Sequence, residues 1–512
     1  MLRPFRGTLA LVVRHFSAEA VVDKAVVTHG GVTGSGGNGR DTLGKRLLSL
    51  VFSKRSAVIS IRKWKEEGHT VRKYELNRIV KELRKHKRYK HALEICEWMT
   101  LQQDIKLLPG DYAIHLDLIA KVRNLASAEK FFEDLPDRMR GPATCTALLH
   151  TYVQNKMSAE AEALMEKMSE CDFLKNPHAY NHMLSLYISN GQLEKVQGLI
   201  QKLKMNTSPD VFTYNLLLSV CASQNNVESA EKTFIELKKA KIEPDWVTYS
   251  ALTNLYMKNE LLTKAASTLN EMEKRASRKN RLAYSSLLTL RTNMGDKDGV
   301  RRIWENMKSC FRKLNDAEYM SMISSLVKLE DLEEAEKVYT EWESVSGTRD
   351  SKLSNVLLAA YINRNQMEMA EKFSQRMLQK GITPSYTTWE LLTWGNLKEK
   401  RIEKVIDCFK KALGCVKKWN ADRKLVRDIL KMLEEQGNIG TAEQFLAILR
   451  GAGHVSTEVY NSLLRTYANA GKMPLIVAER MEKDNVQLDE ETHELIKMTS
   501  KMCISEVPTH YS

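Results

Sequence analysis

The strongest constraint on this chain of 512 residues is that it repeats itself. Residues 211–245 read VFTYNLLLSVCASQNNVESAEKTFIELKKAKIEPD, and the next 35 residues open on the same pattern, WVTYSALTNLYM from Trp246. Self-similarity at a fixed period of roughly 20–50 residues marks a stacked array, whose units bury their apolar faces only against neighbours. Within 211–245, Tyr214, Leu217, Leu218 and Cys221 predict a helix over 213–223. Ala230, Phe234 and Leu237 predict a second over 227–240. Pro244 ends the unit, because it has no amide proton and biases Glu243 away from helix.

Units start near 73, 109, 142, 177, 211, 246, 281, 316, 351, 386, 421 and 457, spaced 33 to 36 residues apart. Position 20 is Ala92, Ala128, Ala161, Ala230, Ala265, Ala335 and Ala370, small enough for two helices to approach to about 8–10 Å. Position 27 is Met or Leu (Met99, Leu135, Met168, Leu203, Leu237, Met272, Met307, Met377), read as core and not as a cofactor stripe. Position 4 is aromatic in Tyr180, Tyr214, Tyr249, Tyr284, Tyr319, Trp389 and Tyr460. Gly191, Gly295 and Gly471 stand where the first helix must stop, as a C′ glycine does.

Charge is unevenly spread. Between Arg40 and Glu94, 17 Lys and Arg face six Asp and Glu, so this segment holds +11 of the net +14. The cluster KELRKHKRYKH at 81–91 suits phosphate contacts, or forms a solvated surface. Ahead of it, Arg3, Arg6 and Arg14 interleave with apolar residues and no acid precedes Glu19, the pattern of an organellar transit peptide. Arg14-His15-Phe16-Ser17 resembles a mitochondrial processing site. The expected organisation is a transit peptide over 1–16, a glycine-rich linker over 17–45, a basic helical cap over 46–72, the array over 73–489 and a closing helix and tail over 490–512. The expected location is the mitochondrial matrix, with the chloroplast second. No apolar run approaches ~18 residues, so no membrane span is expected. The eight cysteines form no CxxC and fall mostly in helical patterns, which reads as reduced, buried thiols.

The units resemble pentatricopeptide repeats. "TYN" opens the first helix, Ala and then Met follow in the second, and Ile242-Glu243-Pro244-Asp245 and Ile382-Thr383-Pro384-Ser385 are family-like endings. The near-uniform period resembles the P class, and residues 76–99 are similar to the opening repeat of a plant mitochondrial subgroup. Tetratricopeptide repeats, the near neighbour, run 34 residues with a W-x-x-L-G opening that is absent here. The resemblance implies an all-α fold, a right-handed superhelical solenoid of about twelve stacked helix–turn–helix units, with first helices lining the inner wall. It also implies single-stranded RNA as partner, a mitochondrial transcript or ribosomal RNA, with one repeat reading one base.

By that resemblance the fifth and last residues of a unit meet the base edge. The pairs are Thr146 with Asn176, Asn181 with Asp210, Asn215 with Asp245, Ser250 with Asn280, Ser285 with Asn315, Asn355 with Ser385, and Asn461 with Asp489. The family code turns them into 5′-A-U-U-A-A-n-C-n-n-U. Phe212, Val247 and Leu282 occupy the base-stacking position, and Lys85, Lys87, Arg88, Lys121, Lys258, Lys328 and Lys398 suit phosphate. The reading requires these polar side chains to face unpaired nucleotides from the inner wall. The same Asn and Asp residues also suit helix capping and turns. Asn77 with Leu108, Ala113 with Gly141, Met320 with Asp350, and units opening with Glu390 and Leu425 depart from the code, and Asp422 and Glu458 replace the stacking residue. No H-x-E with C-x-x-C of a zinc deaminase occurs, and His493-Glu494 lacks the second His of a zincin. No catalysis and no cofactor are expected. The alternative function is a protein-interaction scaffold, attached to the mitochondrial ribosome or to other protein factors.

Overall fold

The computed structural model describes residues 41–50, 56–276, 280–345, 347, 350–416, 419–420 and 422–504. The basic leader and most of the glycine-rich stretch lie outside the described residues. The chain forms two compact units, Met1–Ala276 and Ser277–Ser512.

In the first unit the described residues form seven helical hairpins. A short opening pair, Leu43–Leu48 and Ala57–Glu66, precedes the pair Lys73–Lys85 and Tyr89–Thr100. Five further pairs follow, from Pro109–Val122 with Leu125–Glu133 to Trp246–Lys258 with Leu262–Arg275. The second unit has six pairs, from Arg281–Asn293 with Lys297–Cys310 to Thr457–Asn469 with Val477–Lys483, and then a single helix, Glu490–Thr499. Strand Lys472–Met473 pairs in parallel with Cys503–Ile504. The period therefore places twelve hairpins correctly from Lys73 onward. The opening pair carries no repeat signature, yet Leu43, Leu47, Ala57 and Ile61 are fully buried in the first unit's core.

Packing explains the repeated residues. All seven position-20 alanines are fully buried, and so, almost completely, are the Met and Leu residues at position 27. Successive first helices stack on one another within each unit, while each second helix packs on its own partner. First helices are consequently covered on most sides, whereas second helices keep one face in solvent. Position-4 tyrosines pin the hairpin through their hydroxyls: Asn206 donates to Tyr180 at 2.6 Å, and Tyr319 and Tyr460 donate to Glu341 and Asp484 at 2.9 and 2.8 Å. The turn between the two helices uses a left-handed residue, glycine at Gly191 and Gly295 but Glu260, Glu330 and Lys400 at the same position elsewhere.

Carboxylates staple neighbouring hairpins at their second helices. Glu162 accepts from Lys195 at 2.7 Å and Tyr187 at 3.1 Å, and Glu231 likewise from Lys264 at 2.7 Å and Tyr256 at 3.2 Å. In the second unit Glu443, buried, takes Tyr467 at 2.8 Å and Arg480 at 2.9 Å. A buried polar line also runs through the first unit. Asp117 binds Arg84 and Lys121 at 2.8 Å, and His150 lies 3.4 Å from His182, nitrogen to nitrogen. Burial favours the neutral carboxyl, but Lys121 and Arg84 hold the Asp117 pKa below its ordinary value. Of the eight cysteines, Cys96, Cys145, Cys221 and Cys408 are buried as expected, and Cys310 is partly so. Cys171, Cys415 and Cys503 are exposed; the first two sit just past helix ends, where the apolar face has already run out.

Candidate nucleic-acid interface

The site is built at the junction where one hairpin's first helix meets the next. Asp210 caps the helix Val211–Ser223, accepting from the Thr213 amide at 2.9 Å. Thr213, fully buried, accepts from the Asp210 amide at 3.2 Å and donates its hydroxyl to Asn181 Oδ1 of the preceding hairpin at 2.8 Å. Asn181 closes the ring by donating Nδ2 to Asp210 Oδ1 at 2.9 Å. Each group satisfies another, as buried polar groups require.

The ring recurs. Asn215 donates to Asp245 at 3.1 Å and accepts from Thr248 at 2.7 Å. Asn355 donates to Ser385 at 3.3 Å and accepts from Thr388 at 2.8 Å. Asn461 donates to Asp489 at 3.1 Å and accepts from Thr492 at 2.7 Å. Four pairs predicted from sequence are thus brought together, and a threonine at position 3, which sequence reasoning missed, holds each of them. Its signal was present: Asp or Ser followed three residues later by Thr is a capping-box spacing.

The rings change how open the site is. Asn215 is 2% exposed and Ser250 7%, both within hairpin contacts, while Ser285 is half-buried. The asparagine is first a junction residue. The more accessible polar atoms belong to the last residues, with Asp210, Asp245 and Ser385 half-buried and Asp489 exposed. Bonds that Asp210 and Asp245 accept from the described residues all fall on Oδ1.

The remaining pairs differ. Thr146 donates to the Pro142 carbonyl at 2.7 Å, and Asn176 accepts from the His178 amide at 3.1 Å, so each is used within its own turn. Asn280 and Asn315 cap their helices, accepting from Ala283 at 3.2 Å and Glu318 at 3.1 Å. Of the stacking candidates, Leu282 is 52% exposed and Phe212 half-buried, but Val247 is buried in the junction core and offers little face. Lys85, Lys87, Lys258 and Lys398 are exposed. Three other cations are engaged by protein: Lys121 by Asp117, Arg88 by the Leu48 carbonyl and Lys328 by Asn293. Asn77 has a partner the spacing did not predict. It donates to Asp111, three residues beyond Leu108, at 2.9 Å, and Asp111 also binds Lys73 at 2.6 Å. Among the described residues no cluster of three His, Cys, Asp or Glu side chains is placed to hold a metal, and no helix is long and apolar enough to cross a membrane.

Hairpins of about 35 residues, closed by a position-20 alanine and joined by Asn–Asp–Thr rings, define a helical-repeat protein with a recurring polar junction. The PPR repeat family model matches residues 175–223 and 209–255, and the PPR repeat model matches 143–173, 247–276 and 319–345. A mitochondrial pentatricopeptide repeat-containing protein of Arabidopsis thaliana is 60% identical over 527 residues, covering 100% of this chain and 99% of its own. A second from the same plant is 36% identical over 488 residues, covering 93% and 99%. The crystal structure of a maize pentatricopeptide repeat protein aligns with TM-score 0.40 and 17% identity over 98% of this chain and 79% of that one. The chain belongs to the pentatricopeptide repeat family.

Proposed function

We propose that this protein binds single-stranded RNA in mitochondria and acts in RNA processing, stability or translation by reading bases at its hairpin junctions. The observation that carries the reading is the recurrence of one bonded couple, asparagine amide to carboxylate or hydroxyl, at four junctions with the same connectivity. At Asn181–Asp210 and Asn215–Asp245 the ring uses one Nδ2 hydrogen and Oδ1 of the acid, so one donor and one acceptor oxygen remain. Uracil offers the complement, a carbonyl oxygen beside the N3 hydrogen. A ring fixed before binding positions these groups with little further ordering, which favours affinity. Asn355 with Ser385 places a hydroxyl where the others have an acid, consistent with a different base.

The mitochondrial assignment rests on the arginine-rich, acid-poor leader and on the mitochondrial relative of 60% identity. Phosphate contacts fall to the exposed Lys85, Lys87, Lys258 and Lys398. A second reading, a scaffold for mitochondrial ribosomal or other proteins, is favoured by Glu390, Asp422 and Glu458 at base-facing positions of the second unit. Burial, with Asp422 nearby, raises the Glu390 pKa. A gel shift with the ten-mer 5′-AUUAANCNNU separates the two. Binding that is lost with the complementary ten-mer supports base reading; no shift, together with co-sedimentation of ribosomes, supports the scaffold.

A further inference from the structure

The first repeat is the one whose code residues, Asn77 and Leu108, predict no base. Its first helix, Lys73–Lys85, nevertheless carries a stripe unlike any other in the array. Tyr74, Arg78, Lys81 and Lys85 recur at spacings of four, three and four, which puts them on one face of the helix. All four are exposed, Tyr74 by 76%. The opposite face is closed by Leu76, Ile79 and Leu83, against which Leu43–Leu48 packs. At 1.5 Å per residue the stripe is about 16 Å long, enough for a few nucleotides.

The corresponding positions of later repeats lack this combination. The second repeat has Gly110, Ile114, Asp117 and Lys121, with the last two bonded to each other, and the fifth has Phe212, Leu216, Ser219 and Ser223. An exposed ring with three cations following it at one-turn intervals is how proteins hold single strands without reading them, the ring stacking on a base and the cations tracking phosphates. Tyr74 presents a ring face without the polar couple that would select a base, since Asp111 is bound to Lys73.

We infer that the stripe Tyr74–Arg78–Lys81–Lys85 is a sequence-tolerant anchor for one end of the RNA, adjoining the base-reading junctions. The inference rests on the RNA-binding reading above but needs none of its code. Charge complementarity and the stacking surface point to a single-stranded polyanion. An acidic protein segment would use the cations and leave Tyr74 without a role.

The test compares the full chain and its variants by fluorescence anisotropy on three labelled RNAs: the ten-mer, the ten-mer extended by three nucleotides at either end, and oligo-C of equal length to the extended form. The wild type is expected to bind the extended RNA about tenfold tighter than the ten-mer, the gain of one base–aromatic stack with its phosphates. Tyr74→Ala and Lys81→Ala should each remove most of that gain and leave the ten-mer unchanged. Tyr74→Phe should retain it. The gain should persist when the extension is changed in sequence. An extended-RNA affinity untouched by Tyr74→Ala overturns the anchor, and a loss in Lys81→Ala alone does so as well, by assigning the stripe to a partner that ignores the ring. If exchanging Asn215 and Asp245 has no effect on the ten-mer while Tyr74→Ala still weakens oligo-C, base reading fails and the anchor stands. Because Tyr74 is exposed, its variants should fold like the wild type, which circular dichroism checks.

Discussion

Removing the Thr248 hydroxyl isolates the junction ring from everything else in the repeat. Thr248 is fully buried, donates to Asn215 Oδ1 at 2.7 Å and accepts from the Asp245 amide at 3.2 Å. Thr248→Val keeps the shape and deletes both bonds. Asn215 Oδ1 is then buried without its donor, which costs about 1–3 kcal/mol, and the lost half of the capping box adds about 0.5–1 kcal/mol. A loss of about 2–3 kcal/mol is expected. Stability in stacked repeats is local, as nearest-neighbour coupling makes each hairpin a semi-independent unit. The assay is therefore amide hydrogen exchange read by mass spectrometry over residues 211–258, beside a thermal melt. Exchange in the helix Trp246–Lys258 should quicken some 30-fold or more, since each 1.4 kcal/mol is about tenfold. Thr248→Ser, which retains the hydroxyl, should lose no more than about 1 kcal/mol. If Val and Ser variants are equally protected, the ring contributes nothing and its proposed pre-ordering of Asn215 is wrong.

Three further outcomes follow from named contacts. Burial pushes His115 and His150 down to about 4, so both are neutral in the fold, whereas the unfolded chain protonates them near 6.5. Between those values the unfolded state holds more protons, so the first unit should lose stability as pH falls from about 6.5 towards 4, by up to about 3 kcal/mol per histidine; melts from pH 7 to 4.5 read this, and His150→Gln should flatten the slope. Glu443→Ala strips the buried Arg480 and Tyr467 of their shared carboxylate and should cost about 3–5 kcal/mol, read as faster exchange over 457–483. Glu330 holds a left-handed turn with φ 62, which strains a side-chain-bearing residue by about 1–2 kcal/mol; Glu330→Gly should raise stability by about 0.5–1 kcal/mol in a denaturant melt, part of the relief being offset by the freer unfolded chain.

What the sequence disclosed followed from local chemistry. The period, the buried alanines and the helix pair Val211–Ser223 and Val227–Lys239 were readable within two residues at each end, because spacing within one helix sets which residues share a face. Capping was readable for the same reason, as Asp210 and Thr213 are three residues apart. Contacts between hairpins were not. Glu162 meets Lys195, 33 residues on, only once the stacking angle is known, and the Asn77–Asp111 bond replaces the partner that counting from the repeat's end would choose. The opening hairpin was invisible because Leu43 and Leu47 supply core without repeating any motif. Burial of Asn215 was missed because the residue counted as a reader is also the bolt between hairpins.

Recoding one junction tests base reading most directly. The double variant Asn215→Ser with Asp245→Asn keeps a cap on the helix Trp246–Lys258 and replaces the uracil-type couple by an adenine-type one. Measured against ten-mers carrying U or A at the third nucleotide, the wild type should favour U by about tenfold and the variant should favour A. Equal binding of the two RNAs by the wild type, or a variant that still prefers U, would contradict the account.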